Sequence, residues 1–203
     1  MAFLQSTFGA SKDEVWKQFS EQISGEFQEG TTWKGGKVTA KADHWTVTLD
    51  TYRIDTQHNH HIFTRLRAPY VNKDGFRFCI YKETLLEDIK KILGMQDIVI
   101  GTPDFDEYYI IQASDEEKAK RLFSSETLRE KIKPHPDLYM EVKNDDGYFS
   151  ETFPEGVDEL LCLIEGEITQ IDQLNALYDL FAEVLNTLCH LGSAYEDDPN
   201  LSV

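Results

Sequence analysis

Three runs between residues 44 and 82 decide the fold: HWTVTLDTYRI (44–54), HIFTRLRAPY (61–70) and FRFCIYK (76–82). Their residues alternate with a period of two, the spacing at which successive side chains of a strand point to opposite faces. A turn is expected at VNKDG (71–75), because its glycine accommodates a positive φ. The pattern predicts a three-stranded antiparallel meander.

One face of this meander carries the candidate binding site. In the first run the apolar residues alternate with Asp50 and Tyr52, and in the second run Arg65 and Arg67 share a face. A guanidinium group is a planar donor fork that suits a carboxylate or phosphate ligand. The alternative is a cross-strand ion pair in which Asp50 satisfies only one arginine, and we favour it because such pairs are common. The candidate ligand-binding residues are therefore Asp50, Tyr52, Arg65 and Arg67.

Several helices are predicted around the meander. A Ser or Thr followed three residues later by Glu is a capping box, and it predicts helix starts at Ser11, Thr84 and Ser114. Ser125 predicts the start of another short helix. Apolar residues spaced three and four apart predict a long helix over 171–191. Its apolar stripe is broader than a coiled-coil seam, so we expect it to pack in the core of a monomer rather than in a dimer.

Further strands complete the expected architecture. A short strand over 37–41 is expected to pair with the run that starts at residue 44. Residues 138–143 and 148–153 predict a second meander. The run LLCLI (160–164) is apolar on both faces, which indicates an interior strand, with a buried helix as the alternative. The fold class is therefore α+β: antiparallel sheet built from two meanders, covered by helices, with a long C-terminal core helix.

Length and charge limit the classes of function. The chain has 203 residues, which suits a single domain over 1–192, followed by an acidic tail over 193–203 that we expect to be solvated or mobile. The net charge of -17 argues against a nucleic-acid-binding or membrane-binding surface, since both need clustered Lys and Arg. It is compatible with a protein partner, and favours a basic one.

The sequence offers little support for a metal or a cofactor. Three isolated cysteines, Cys79, Cys162 and Cys189, lie in apolar runs and are expected to be buried. The histidines His58, His60 and His61 are expected in a solvated loop, because ligand spacings typical of metal sites are missing. The acidic residues at 104–107 also lack the spacing of a calcium loop. We predict no metal and no cofactor and, in the absence of a signal peptide, a cytoplasmic location.

Four phrases carry a resemblance to known proteins: WTVTLDTY (45–52), FTRLRAPY (63–70), FRFCIYKE (76–83) and LGMQDIVIGTPDFDEYYIIQASD (93–115). Together they resemble a family of uncharacterised soluble bacterial proteins of unassigned activity, over roughly residues 45–132. The resemblance implies a bacterial, cytoplasmic setting and supplies no catalytic residues.

Three functions are compatible with the sequence. We favour a non-catalytic module that binds a protein or a ligand, because no nucleophile–base motif is recognisable. The first alternative is a small-anion-binding protein or an enzyme that uses Arg65 and Arg67. The second is an acidic inhibitor or immunity-type protein that mimics a polyanion.

Overall fold

A computed structural model describes residues 11–31, 35–55, 60–82, 96–144, 153–199 and 201. Within these residues nine strands form one sheet in the order β1-β2-β3-β4-β9-β8-β5-β7-β6, and all neighbours are antiparallel. The strands are β1 (Glu26–Gln28), β2 (Lys37–Ala42), β3 (Trp45–Asp55), β4 (His60–Val71), β5 (Phe78–Lys82), β6 (Gln96–Asp97), β7 (Tyr109–Ala113), β8 (Tyr139–Lys143) and β9 (Val157–Glu165). The helices are α1 (Lys12–Gln22), α2 (Pro103–Tyr108), α3 (Glu116–Phe123), α4 (Glu126–Ile132) and α5 (Ile171–His190). The predicted α+β class is confirmed.

The third strand of the first predicted meander does not pair with the second, so this part of the prediction is wrong. β2, β3 and β4 follow one another as expected, but β4 pairs next with β9 over eight residue pairs, and β5 lies between β8 and β7. The reason is burial: β9 has eight consecutive buried residues, so it occupies the middle of the sheet. An interior strand needs a neighbour on both sides, and β4 and β8 provide them.

The helices cover one face of the sheet. α5 buries seven side chains in the main core: Leu174, Leu177, Leu180, Phe181, Val184, Leu185 and Leu188. α1 packs beside it through Val15, Trp16 and Phe19, and the indole Nε1 of Trp16 donates a hydrogen bond to the carbonyl of Ile168 at 3.0 Å. The long C-terminal core helix is thus where its apolar spacing predicted it.

Helix starts follow the local sequence with one exception. The Ser11 capping box is present at α1, and the Ser125 hydroxyl accepts a bond from the first turn of α4. The cap of α3 is Asp115 and not Ser114, whose hydroxyl instead accepts a hydrogen bond from the backbone N–H of Arg77 at 2.9 Å. The helix predicted from Thr84 and the returning strand at 148–153 lie outside the described residues, except for Phe153.

Residues 193–198 dock against the rest of the fold, whereas a solvated or mobile tail was predicted. Ser193 is fully buried, Ala194 forms a β-bridge with Asn72, and the carbonyl of Tyr195 accepts a hydrogen bond from the Trp45 indole at 3.1 Å. Asp198 pairs with Lys41. Sequence composition missed this docking because the partners lie on β2, on β3 and at the end of β4, far away in the chain.

Candidate functional site

The four candidate residues lie together on the sheet face opposite the main core. Asp50 on β3 faces Arg65 on β4 in the strand register. The Arg65 guanidinium donates from Nε and Nη2 to the two carboxylate oxygens of Asp50, both at 2.7 Å. Its carbon Cζ also lies 4.7 Å from the ring centre of Tyr52, a cation–π contact.

Asp50 binds both arginines, so the expectation that it would satisfy only one is wrong. Arg67 Nη2 donates to Asp50 Oδ2 at 3.0 Å. The geometry explains this, because Arg67 is two residues beyond Arg65 on the same face of β4 and its long side chain reaches diagonally back to the same carboxylate. The side chains of Asp50, Arg65 and Arg67 are only 17–19% exposed.

Glu159 is a member of this cluster that sequence reasoning missed. Its Oε1 lies 3.9 Å from Arg67 Nη1, and its Oε2 lies 3.9 Å from Lys143 Nζ. Its side chain is 5% exposed. The available signal was the position of two acids, Asp158 and Glu159, at the start of an interior apolar strand, because buried carboxylates need paired cations. Each arginine therefore has a carboxylate beside it: Asp50 contacts both, and Glu159 lies near Arg67.

The Arg67 guanidinium has a buried donor that the described residues leave unsatisfied. Its Nε is buried and, among the described residues, has no hydrogen-bond acceptor. A donor of this kind can bind an additional carbonyl or anionic oxygen if one reaches it.

An apolar patch lies further along the same sheet face. It consists of Phe63, Cys79, Tyr81, Tyr139, Leu161 and Leu163, and the described helices contribute no side chain to it. Burial, followed by the charge of Glu141, raises the pKa of the Cys79 thiol to about 12. Burial also raises the pKa of the Glu141 carboxyl. Cys79 is thus a protonated packing residue at neutral pH, as its apolar surroundings in sequence suggested.

A second charged cluster holds the turn between β4 and β5. Asp158, 4% exposed, accepts two bonds from the Arg77 guanidinium at 3.1 Å and one from Asn72 Nδ2 at 2.6 Å. Asp74 in the same turn pairs with Lys118 of α3. These contacts tie the turn to β9 and to a helix, which is a structural role.

A cavity opens between α2 and the connection from α4 to β8. It has a volume of about 310 Å³ and is lined by Asp104, Phe105, Tyr108, Tyr109, Lys133 and Pro136. The ring centres of Phe105 and Tyr109 are 4.9 Å apart, and those of Tyr108 and Tyr109 are 6.4 Å apart. Phe105 and Tyr109 are buried, whereas Tyr108 is 58% exposed at the mouth.

The acidic residues at 104–107 belong to helix α2 rather than to a loop. Asp106 has a structural role, since its carboxylate accepts the backbone N–H groups of Ile100, Gly101 and Thr102 at 2.8–2.9 Å. Asp104 is different: it forms neither an ion pair nor a hydrogen bond with the described residues.

The histidines near residue 60 are paired with acids. His60 Nδ1 lies 2.7 Å from Asp55, and His61 Nδ1 lies 3.2 Å from Glu165; His58 lies outside the described residues. Across the part of the chain that is described, no three His, Cys, Asp or Glu side chains are grouped so as to hold a metal ion. None of its helices is long and apolar enough to cross a membrane.

Comparison with known proteins identifies the fold. No family model and no curated protein matches the sequence, so the predicted family resemblance stays a prediction. The architecture is an α+β fold with one large antiparallel sheet and a long C-terminal helix. It is similar to the crystal structure of the mycobacterial trehalose monomycolate transport factor A, TtfA, with a TM-score of 0.57 and 10% sequence identity. The match covers 87% of this chain and 94% of that chain, and it shows a shared fold.

Proposed function

We propose that this protein is a non-catalytic binding factor whose acidic surface recognises a basic protein partner. The observation that carries the proposal is the internal pairing of Arg65 and Arg67 by Asp50 and Glu159. The sequence suggested that these two arginines bind an anionic ligand, but carboxylates of the protein itself already pair with them. The chain carries 37 acidic and 20 basic residues, and both arginines at this site lie against carboxylates.

The net charge favours a partner of opposite sign. Complementary charge accelerates encounter and selects among partners, and its contribution falls as salt is added. The similarity to TtfA supports a non-catalytic role, because that protein is named as a transport factor. The cytoplasmic setting and the monomeric state predicted from the sequence belong to this proposal.

A panel of purified basic proteins tests it. The protein is immobilised, and binding of each panel member is measured at low and physiological salt, with an acidic protein of similar size as the negative control. We expect at least one saturable 1:1 complex that is unchanged by Arg67→Gln. If no basic protein binds and the purified protein turns over a small substrate, the proposal is wrong.

A second candidate function is the binding of a small anion at Asp50, Tyr52, Arg65 and Arg67. The observation that favours it is the buried Arg67 Nε, which has no acceptor among the described residues. A thermal-shift screen with phosphates, nucleotides and carboxylates tests it, because a ligand that binds the folded state raises its stability. Stabilisation that disappears in Arg67→Gln supports an anion site, and stabilisation that survives this change counts against it.

The acidic inhibitor or immunity-type protein is a special case of the first proposal. It requires the basic partner to be an enzyme whose activity falls on binding. Inhibition that is tight and weakens with salt supports this form, whereas binding without inhibition supports a factor of another kind.

A further inference from the structure

The cavity beside α2 has the composition of a site for an organic cation. Its floor is formed by the buried rings of Phe105 and Tyr109, and the half-exposed ring of Tyr108 stands at its mouth. The face of an aromatic ring is negative and attracts a cation within about 6 Å of its centre. Arginine uses such rings most often, because its planar guanidinium also stacks on them.

The charged residues at the mouth of the cavity determine whether a cation or an anion can bind there. Asp104 lies one helical turn before Tyr108 on α2, so both side chains project on the same side of the helix. The Asp104 carboxylate has no partner among the described residues. Lys133, the cation on the opposite wall, is already paired with Glu130 at 2.5 Å. The charge left available to a ligand is therefore negative.

The surroundings reinforce this sign. Burial raises the pKa of Tyr109, and the negative charge of Asp137 raises it further. The Asp137 carboxylate therefore adds a negative charge close to the Tyr109 ring. Glu107, exposed on α2, adds another negative charge nearby.

The cavity volume limits the size of the ligand. About 310 Å³ lies at the small end of the range for ligand pockets. A cavity of that size has room for one long side chain such as arginine.

We propose that this cavity, lined by Asp104, Phe105, Tyr108 and Tyr109, receives the guanidinium group of an arginine side chain from the basic protein partner. This inference rests on the proposed function and specifies how the partner is recognised. The guanidinium lies over the Tyr108 ring and donates hydrogen bonds to the Asp104 carboxylate.

The probe for this site is the peptide acetyl-Gly-Arg-Gly-amide, and its control is the same peptide with citrulline in place of arginine. Citrulline keeps the size and shape of the side chain but replaces the charged guanidinium with a neutral urea. Binding is followed by the ¹H–¹⁵N NMR signals of residues 104–109 and of Lys133, His135 and Asp137, because Pro134 and Pro136 have no amide proton. A single arginine gives weak affinity, so we expect saturation in the millimolar range with arginine and no response with citrulline.

Matched variants separate the pocket from general attraction to an acidic protein. Asp104→Asn and Tyr108→Leu should each weaken the arginine peptide about 2–5-fold, the loss expected for one exposed charge or one cation–π contact. Tyr108→Phe keeps the ring and should bind like the wild type. Asp179→Asn removes the same charge from an exposed position on α5 and should also leave the affinity unchanged.

Three results would overturn the proposal: equal shifts with the citrulline peptide, equal weakening in Asp104→Asn and Asp179→Asn, or shifts that spread over the surface without saturation. The panel of basic proteins keeps the two proposals apart. If a basic protein binds but the arginine peptide does not, the pocket assignment falls and the binding factor stands. If the peptide saturates the pocket but no basic protein binds, the guanidinium site stands and the proposal of a basic protein partner is wrong.

Discussion

Replacing Asp50 with asparagine should destabilise the fold substantially. The carboxylate accepts three charge-assisted hydrogen bonds, at 2.7, 2.7 and 3.0 Å, from two arginines. Removing one partner of a buried ion pair costs about 3–5 kcal/mol, whereas an exposed pair contributes about 0–1 kcal/mol. The three side chains are only 17–19% exposed, so the cluster lies between the two cases and nearer to the buried one. We therefore expect a loss of about 2–4 kcal/mol in the free energy of unfolding.

Urea denaturation at pH 7 measures this loss, with Asp179→Asn as the control for a change of one charge at an exposed position. The double variant Asp50→Asn with Arg65→Gln should lose less than the sum of the single variants, because the two residues form one interaction. Phosphate should partly restore Asp50→Asn, since it provides the anion that the arginines have lost, and should not stabilise the wild type. A loss below about 0.5 kcal/mol, the range of ordinary surface changes, would refute the role of Asp50 as the internal counter-ion.

Three further changes test other parts of the structure. Asp158→Asn should cost about 3–5 kcal/mol in urea denaturation, because it leaves the Arg77 guanidinium without its buried anion; a cost near that of Asp179→Asn would contradict this. Burial lowers the pKa of His135 below its ordinary value of about 6.5, so the folded state favours the neutral imidazole. As the pH falls below about 6.5, the unfolded chain binds a proton at His135 more readily than the folded protein, and the free energy of unfolding decreases. His135→Phe should therefore lose less stability between pH 7.5 and pH 5.5 than the wild type. Equal losses would contradict the inference that burial keeps His135 neutral. Truncation after Gly192 should cost about 1–3 kcal/mol and shift the tryptophan fluorescence to longer wavelength, because the Trp45 indole loses its carbonyl acceptor; an unchanged spectrum and urea midpoint would show that the C-terminal segment is not docked.

Local patterns predicted the secondary structure well because they depend on neighbouring residues. The alternation from Trp45 identified β3, and the capping box at Ser11 identified α1. The cap of α3 was displaced by one residue because Ser114 makes a contact with Arg77, which is distant in sequence. The strand order was predicted wrongly at β5 for a similar reason. The neighbour of β4 in the sheet is β9, which comes much later in the chain than β5.

The sequence placed four of the clustered residues on one face but missed a fifth, Glu159. Period-two alternation brought Asp50, Tyr52, Arg65 and Arg67 onto one face, which the structure also shows. Glu159 was absent from the prediction because its strand pairs with β4 only through the long-range topology. The aromatic cavity at α2 was also missed, since Lys133 and Pro136 approach the helix from a different part of the chain.

The salt dependence of binding to a basic protein tests the central claim most directly. For the tightest binder in the panel, the dissociation constant is measured from 50 to 300 mM NaCl with the wild type and with Arg67→Gln. An acidic recognition surface with internally paired arginines predicts a saturable complex that weakens steadily as salt increases, with the same slope for both proteins. An affinity that does not change with salt, or that Arg67→Gln abolishes, would contradict the account.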